Sequence, residues 1–262
     1  MIRAARPADY DAYVRLHGEL GVPDRVQSRD EWIASAMPRI SVACDERDEA
    51  VGYVSWRQYG PLAHVMHLAV DPAIRGRRIG EQLLVHAREQ AKTAGCTRWY
   101  LNVKRDNTSA LRLYERCGLA HEMESFALEV PWSAVPRVDV RERTIDNSDD
   151  DDATIASLFN VPADRVASFR ARSGYRLITL RDETDALLGF AAFSPSFPGA
   201  ATFCARQPDL AVPLLQAVRH YADPQFDYVR VTIEGNRALA DAVLALGATL
   251  TFEILRLSAD VP

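Results

Sequence analysis

The chain lacks what several function classes require. Its four cysteines, Cys44, Cys96, Cys117 and Cys204, form no Cys-x-x-Cys pair. That leads us to expect reduced, buried thiols in a cytoplasmic protein. No apolar run nears the ~20 residues of a membrane-spanning helix, and residues 1–7 hold no apolar leader core, so no membrane association is expected. Lysine is nearly missing, with only Lys92 and Lys104, so arginine carries the basic charge. A net charge of −5, without interleaved basic and aromatic residues, gives no footprint for nucleic acid. The glycines spell neither Gly-x-Gly-x-x-Gly nor Gly-Lys-Ser/Thr, which excludes the dinucleotide turn and the P-loop. His64-x-x-His67 is too short a constellation to argue for a metal.

What is present is concentrated in residues 64–119. His64-Val65-Met66-His67-Leu68-Ala69-Val70 reads as a strand. It runs through Asp71-Pro72 into Arg75-Gly76-Arg77-Arg78-Ile79-Gly80-Glu81. From there to about Thr93, Ile79, Leu83, Ala87 and Ala91 recur every four residues, with Leu84 widening the stripe. That is a core-facing helix, and Gly95 stops it. A strand feeding a basic, glycine-punctuated turn at a helix N-terminus favours a phosphate or pyrophosphate, because free N–H groups and the positive end of the helix dipole meet there. A second strand follows at 99–103. Then comes Asn107-Thr108-Ser109-Ala110-Leu111-Arg112-Leu113-Tyr114-Glu115-Arg116-Cys117-Gly118-Leu119, an Asn at a strand end and a Tyr two turns into the helix it opens.

Together and in this order the two motifs resemble the GCN5-related N-acetyltransferase (GNAT) family, which moves acetyl from acetyl-CoA to amines. The family's Gln/Arg-x-x-Gly-x-Gly/Ala turn is met at Arg75 and Gly80, with Arg78 in place of the middle glycine. Asn-x-x-Ala-x-x-x-Tyr-x-x-x-Gly-Leu agrees at every position. Residues 99–119 are most similar to the branch that acetylates ribosomal-protein N-termini.

The resemblance implies a site for acetyl-CoA and none for a metal. Backbone groups of Leu68, Ala69 and Val70 would lie beside the pantetheine and acetyl, where two middle strands splay apart. A backbone N–H there would stabilise the developing oxyanion. The N–H groups of Gly76, Arg77, Arg78, Ile79, Gly80 and Glu81 would hold the pyrophosphate, with side-chain help from Arg75, Arg77 and Arg78. Asn107 would bond the pantetheine arm, Ala110 would join the cofactor set, and Tyr114 would assist the departing thiolate. The branch's Glu beside Leu101 is Asn102 here, which takes no proton at neutral pH. His64 and His67 are the substitutes, since imidazole titrates near neutrality. Strand alternation sends the two to opposite faces unless a bulge intervenes. A water chain to solvent is the third route.

The expected acceptor is the amine of a small molecule or a peptide, with Glu19, Asp24, Asp30 and Glu31 near residues 20–31 available to a cationic group. The rival from another class is a non-catalytic acyl-CoA-binding or interaction protein. Retention of Arg75, Gly80, Asn107 and Tyr114 argues against it.

The chain is also long enough for two domains, and its pattern repeats. Asn236, Leu239, Val243 and Gly247 reproduce the offsets of Asn107, Ala110, Tyr114 and Gly118, again after a strand. We therefore expect a mixed α/β chain of two tandem GNAT-like domains. Each would have a mostly antiparallel central sheet flanked by helices, with splayed middle strands in the first. The expected boundaries are 1–132 for the catalytic domain and 137–262 for a degenerate one. In the second, Gln207-Pro208-Asp209-Leu210-Ala211-Val212-Pro213 replaces the basic turn, and its prolines remove N–H groups. All of the net −5 falls in residues 137–262. A scaffold, a substrate wall or a homodimer surface are the roles left to that half.

Overall fold

The computed structural model describes residues 1–21, 26–144 and 149–262. In chain order the first half carries β1 (Ile2–Ala4), α1 (Tyr10–Gly18), α2 (Arg29–Glu31), β2 (Ile40–Cys44), β3 (Ala50–Tyr59), β4 (Leu62–Val70), α3 (Ile79–Thr93), β5 (Arg98–Lys104), α4 (Thr108–Arg116) and β6 (Ala120–Pro131). The second carries β7 (Glu142–Thr144), α5 (Asp152–Phe159), α6 (Ala163–Arg170), β8 (Arg176–Arg181), β9 (Leu187–Ser194), β10 (Gly199–Ala205), α7 (Ala211–Arg219), β11 (Tyr228–Glu234), α8 (Arg237–Ala245) and β12 (Thr249–Asp260). The fold is mixed α/β, as the sequence implies.

Two compact units are present, Met1–Glu122 with Arg256–Pro262, and Met123–Leu255. The dividing points fall inside β6 and β12, so the linker at 131–136 lies in the second unit and residues 256–262 lie in the first. Two short closing strands at 119–122 and 126–130 are what the sequence suggests. The structure has one, β6, because Met123, Glu124 and Ser125 include no glycine or proline to break it.

In the first unit the strands run β1-β2-β3-β4-β5, with the end of β12 beside β5. The Val261 N–H donates to the Thr97 carbonyl at 2.8 Å. The pairs are antiparallel except β4–β5, which is parallel. One face buries Tyr53 and Ala69 against Tyr13 and Leu16 of α1 and against Trp32. The other takes α3, whose Leu83, Leu84, Ala87 and Ala91 are the buried stripe read from the sequence. Ser28 and Glu31 close a capping box at α2, the Ser28 N–H donating to Glu31 Oε2 at 2.8 Å.

The second unit orders its strands β6-β11-β10-β9-β8-β7, and among the pairings described β10–β11 is the parallel one. Its core joins Phe126, Leu128 and Val130 to Phe193, Phe203, Leu214 and Leu215.

The repeat reaches into the registers. The pairing of β4 with β5 ends at Val65 and Leu101, and that of β10 with β11 ends at Ala200 and Val231. Immediately beyond, each first strand carries an extra residue, Met66 and Ala201, opposite the preceding strand. A 3₁₀ turn follows in each, Pro72–Ile74 and Pro208–Leu210. Asn107 caps α4 by accepting from the Ala110 N–H at 3.1 Å, and Asn236 caps α8 by accepting from the Leu239 N–H at 3.0 Å. Helix capping alone accounts for the repeated asparagine.

Candidate active site

The basic turn is built by Asp71. Its carboxylate accepts from the Ala73 N–H at 3.0 Å and pairs with Arg15, while its own N–H donates to the Val51 carbonyl at 2.9 Å. The Ala73 N–H and the Arg15 guanidinium hold the Asp71 carboxyl below its usual range. Arg75 then folds back along the surface of the turn, donating from Nε to the Val70 carbonyl at 3.1 Å and pairing with Glu19 at 3.3 Å. Gly76 (φ 84°) and Arg78 (φ 58°) both adopt the left-handed region that bends the chain into α3. The Arg78 value puts a non-glycine residue where glycine is the cheap choice, at the position where the family's turn has its middle glycine.

The Gln82 N–H returns to the Arg78 carbonyl at 3.0 Å, so the N–H groups of Ile79, Gly80 and Glu81 precede the helix's internal ladder. Arg77 and Arg78 are exposed, and among the described residues neither has a salt-bridge partner. Together these groups form a cationic, donor-rich turn suited to a pyrophosphate. Gly80 has a further reason to be glycine, since an added Cβ would meet Leu113 Cδ2 at 3.1 Å and Val70 Cγ2 at 3.8 Å. It seats α3 on α4.

Beside this turn lies the opening left where β4 and β5 cease to pair, past Val65 and Leu101. Leu68, Ala69 and Val70 hold β3 on one side, opposite Val54, Tyr53 and Gly52, and run unpaired by β5 on the other. The bulge at Met66 decides where the histidines go. Ser55 lies opposite His67 and Arg57 lies opposite His64, and Ser55 and Arg57 share a face of β3. Both histidines therefore lie on the α1 face. His67 meets His17 of α1 edge-on at 5.3 Å between ring centroids, and His64 stacks on Tyr100 at 4.3 Å.

Tyr114 is buried on α4, two turns after its Asn107 cap. Burial, with Cys117 beside it, pushes its hydroxyl up to about 12. Among the described residues no hydrogen bond engages that hydroxyl. Asn107 Oδ1 and the Ala110 N–H are spent on each other in the cap, which leaves the Asn107 amide nitrogen as its outward donor. Glu31 belongs to the capping box and Glu19 to Arg75, so neither stands as an open carboxylate. Asp30 is exposed, and Asp24 lies outside the described residues.

This geometry has counterparts. Residues 8–119 match the family model described as Acetyltransferase (GNAT) family. Residues 8–119 belong to the GNAT acetyltransferase family. Mycothiol acetyltransferase of Saccharopolyspora erythraea is 30% identical over 98 residues, which are 37% of this chain and 31% of that protein. The chain spans about a third of the length of the curated relatives it matches. Among solved structures, a GCN5-related N-acetyltransferase from Sphaerobacter thermophilus matches with a TM-score of 0.70 at 16% identity, over 100% of this chain and 95% of that one. A tandem GNAT protein from the clavulanic acid biosynthesis pathway matches with a TM-score of 0.67 at 17% identity, over 100% and 99%. The full chain thus has the tandem GNAT fold.

Several residues at this site escaped the sequence reading. His17 was legible only as a helix residue, yet it is 4% exposed and packs on His67. Arg256, 9% exposed, lies over Tyr100 at 4.7 Å, and its Nε donates to Asn102 Oδ1 at 3.4 Å. No local signal reveals a partner 154 residues away. Arg57 lies one residue past the strand that the sequence suggests at 50–56; β3 extends to Tyr59, and alternation along it puts Arg57 on one face with Tyr53 and Ser55. Among the described residues no cluster of three or more His, Cys, Asp or Glu could hold a metal, and no helix is long and apolar enough to cross a membrane.

Proposed function

We propose that the chain is an N-acetyltransferase that moves acetyl from acetyl-CoA to a primary amine by direct attack in a ternary complex. The observation that carries this reading is the junction of three features in one unit. These are the donor-rich turn at 76–81, the parted strands β4 and β5, and a Tyr on α4 whose hydroxyl has no hydrogen-bond partner among the described residues. The turn's N–H groups, with Arg77 and Arg78, would hold the pyrophosphate. The Asn107 amide would reach the pantetheine arm, and backbone of Leu68–Val70 would line the acetyl.

Acetyl transfer needs a neutral amine, a polarised carbonyl and a leaving thiolate. A backbone N–H on β4 supplies an oxyanion donor, worth ~3–4 kcal/mol in comparable sites. His64 or His67 accepts the amine's proton, directly or through water; both lie on the face that α1 covers. The Tyr114 hydroxyl donates a hydrogen bond to the departing sulfur.

The second unit, in this reading, performs no transfer. Counted from the bulge at Ala201, Gly199 and Thr202 stand where His64 and His67 stand, and Val243 replaces Tyr114. Pro208 opens its 3₁₀ turn as Pro72 does, but α7 then begins directly at Ala211 with no basic turn before it, and Pro213 in its first turn has no N–H to offer. A thiol-release assay with acetyl-CoA against a panel of amines tests the proposal. Amine-dependent release of CoA supports it, and acetyl-CoA binding without release on any amine would leave a binding protein instead.

A further inference from the structure

The sheet face that carries both histidines is rich in arginine. Arg57 on β3 stands directly across from His64 on β4. It is half-buried and, among the described residues, makes no hydrogen bond or salt bridge. On β5, Arg98, Tyr100 and Asn102 share this face by alternation. Arg98 pairs with Glu122 at 3.3 Å and donates to Ser258 Oγ at 2.7 Å, and Arg256 lies over Tyr100. Three guanidinium groups thus lie on this face with His64, and Glu122 pairs with one of them, Arg98.

A guanidinium drawn half out of water without an anion has lost hydration that nothing repays. Its planar fork matches a carboxylate or a phosphate. The acidic residues that a cationic acceptor would need are, at Glu19 and Glu31, already engaged. A positive face also disfavours the ammonium form of a bound amine, and only the neutral amine attacks. Binding through an anion and activation of the amine therefore pull in the same direction.

Resting on the acetyl-transfer reading above, we propose that the acceptor carries an anionic group, a carboxylate or a phosphate, besides its amine, and that Arg57 binds that group across from His64. β4 advances about 3.3 Å per residue, so Leu68 lies on the order of 10 Å along the strand from His64. The amine and the anion must then be separated by a chain of several bonds, and of the two histidines His67, next to Leu68, is the one within reach of that amine. An ω-amino acid fits this better than an α-amino acid or a peptide N-terminus.

The test uses full-length protein and matched amines, 6-aminohexanoate against hexylamine, and 6-aminohexyl phosphate against 6-aminohexanol. Each is measured by thiol release and by calorimetric titration in the presence of CoA. The anionic member of at least one pair should exceed its neutral partner by about tenfold to a hundredfold in kcat/KM and in affinity, the range of a charge-assisted pair. The pair that shows the gap tells carboxylate from phosphate. Arg57→Ala should collapse the ratio and Arg57→Lys should restore part of it; Arg57→Gln replaces Arg57→Ala if that variant fails to fold. Ratios near one in both pairs, or a ratio that survives loss of Arg57, overturn the proposal. If no amine releases thiol, the transfer reading fails by itself, and the calorimetric ratios alone then sustain or overturn the anion site.

Discussion

Tyr114→Phe keeps the ring that packs on α4 and removes only the hydroxyl. With that hydroxyl raised to about 12 and a thiol near its reference value of ~8.5, complete proton transfer to the thiolate would be uphill by about 5 kcal/mol, at ~1.36 kcal/mol per unit. The burial that makes the ring a good packing neighbour makes the hydroxyl a poor acid. Hydrogen-bond donation remains open to it, and a bond to a charged partner is worth ~1.5–3 kcal/mol. Because the charge develops on sulfur mainly in the transition state, kcat and kcat/KM should fall together by about 10- to 100-fold, with KM nearly constant. Steady-state thiol release measures both, and calorimetry with acetyl-CoA checks that affinity is kept. An acyl donor with a more acidic leaving thiol should narrow the gap. Full turnover by Tyr114→Phe would make the hydroxyl a bystander, and a rise in KM alone would make it a binding group.

Other outcomes follow from the turn and from the first unit's ion pairs. Gly80→Asp should lose ~2–4 kcal/mol in urea unfolding, because it drives a carboxylate among Leu113, Val70 and Leu68; Gly80→Ala, needing only a small shift of Leu113, should stay within about 1 kcal/mol of the parent. Arg78→Gly should be neutral or gain up to ~1 kcal/mol, since relief of a left-handed non-glycine residue outweighs the entropy glycine adds to the unfolded chain; a clear loss would contradict the strain. Asp9 is buried, which opposes its charge, yet Arg3 at 2.8 Å and the Arg6 N–H at 2.7 Å outweigh that and hold its carboxyl below the usual range. A depressed carboxyl stabilises the fold above its unfolded value near 4 and loses that contribution as pH falls through the folded value. The difference in stability between parent and Asp9→Asn should therefore shrink on acidification from pH 5 to pH 2, and a constant difference would refute the pairing.

The parts legible in the sequence were those with local periodicity or fixed spacing. The α3 stripe, the basic turn and the two asparagine-headed helices are of that kind. The roles of single residues were harder to read. Asn107 fits a cofactor motif, yet capping is enough to explain its repetition as Asn236, since every helix must satisfy its first N–H groups. The bulge at Met66 reverses the sidedness of His64 relative to strict alternation, and no residue type marks it. β10 leaves little signal in the sequence, because Gly199–Ala205 is rich in small residues and its hydropathy does not alternate. The placement of residues 256–262 in the first unit depends on pairings with β5, a hundred and fifty residues earlier, which leave no trace in any window of sequence. The same long reach hid Arg256 from the site it adjoins.

Calorimetric titration of the full chain with acetyl-CoA tests the central claim most directly, because the two units share a fold and the basic turn is present in the first alone. The account predicts a single site per chain, retained in Tyr114→Phe. Two equivalent sites, or no binding at all, would contradict it.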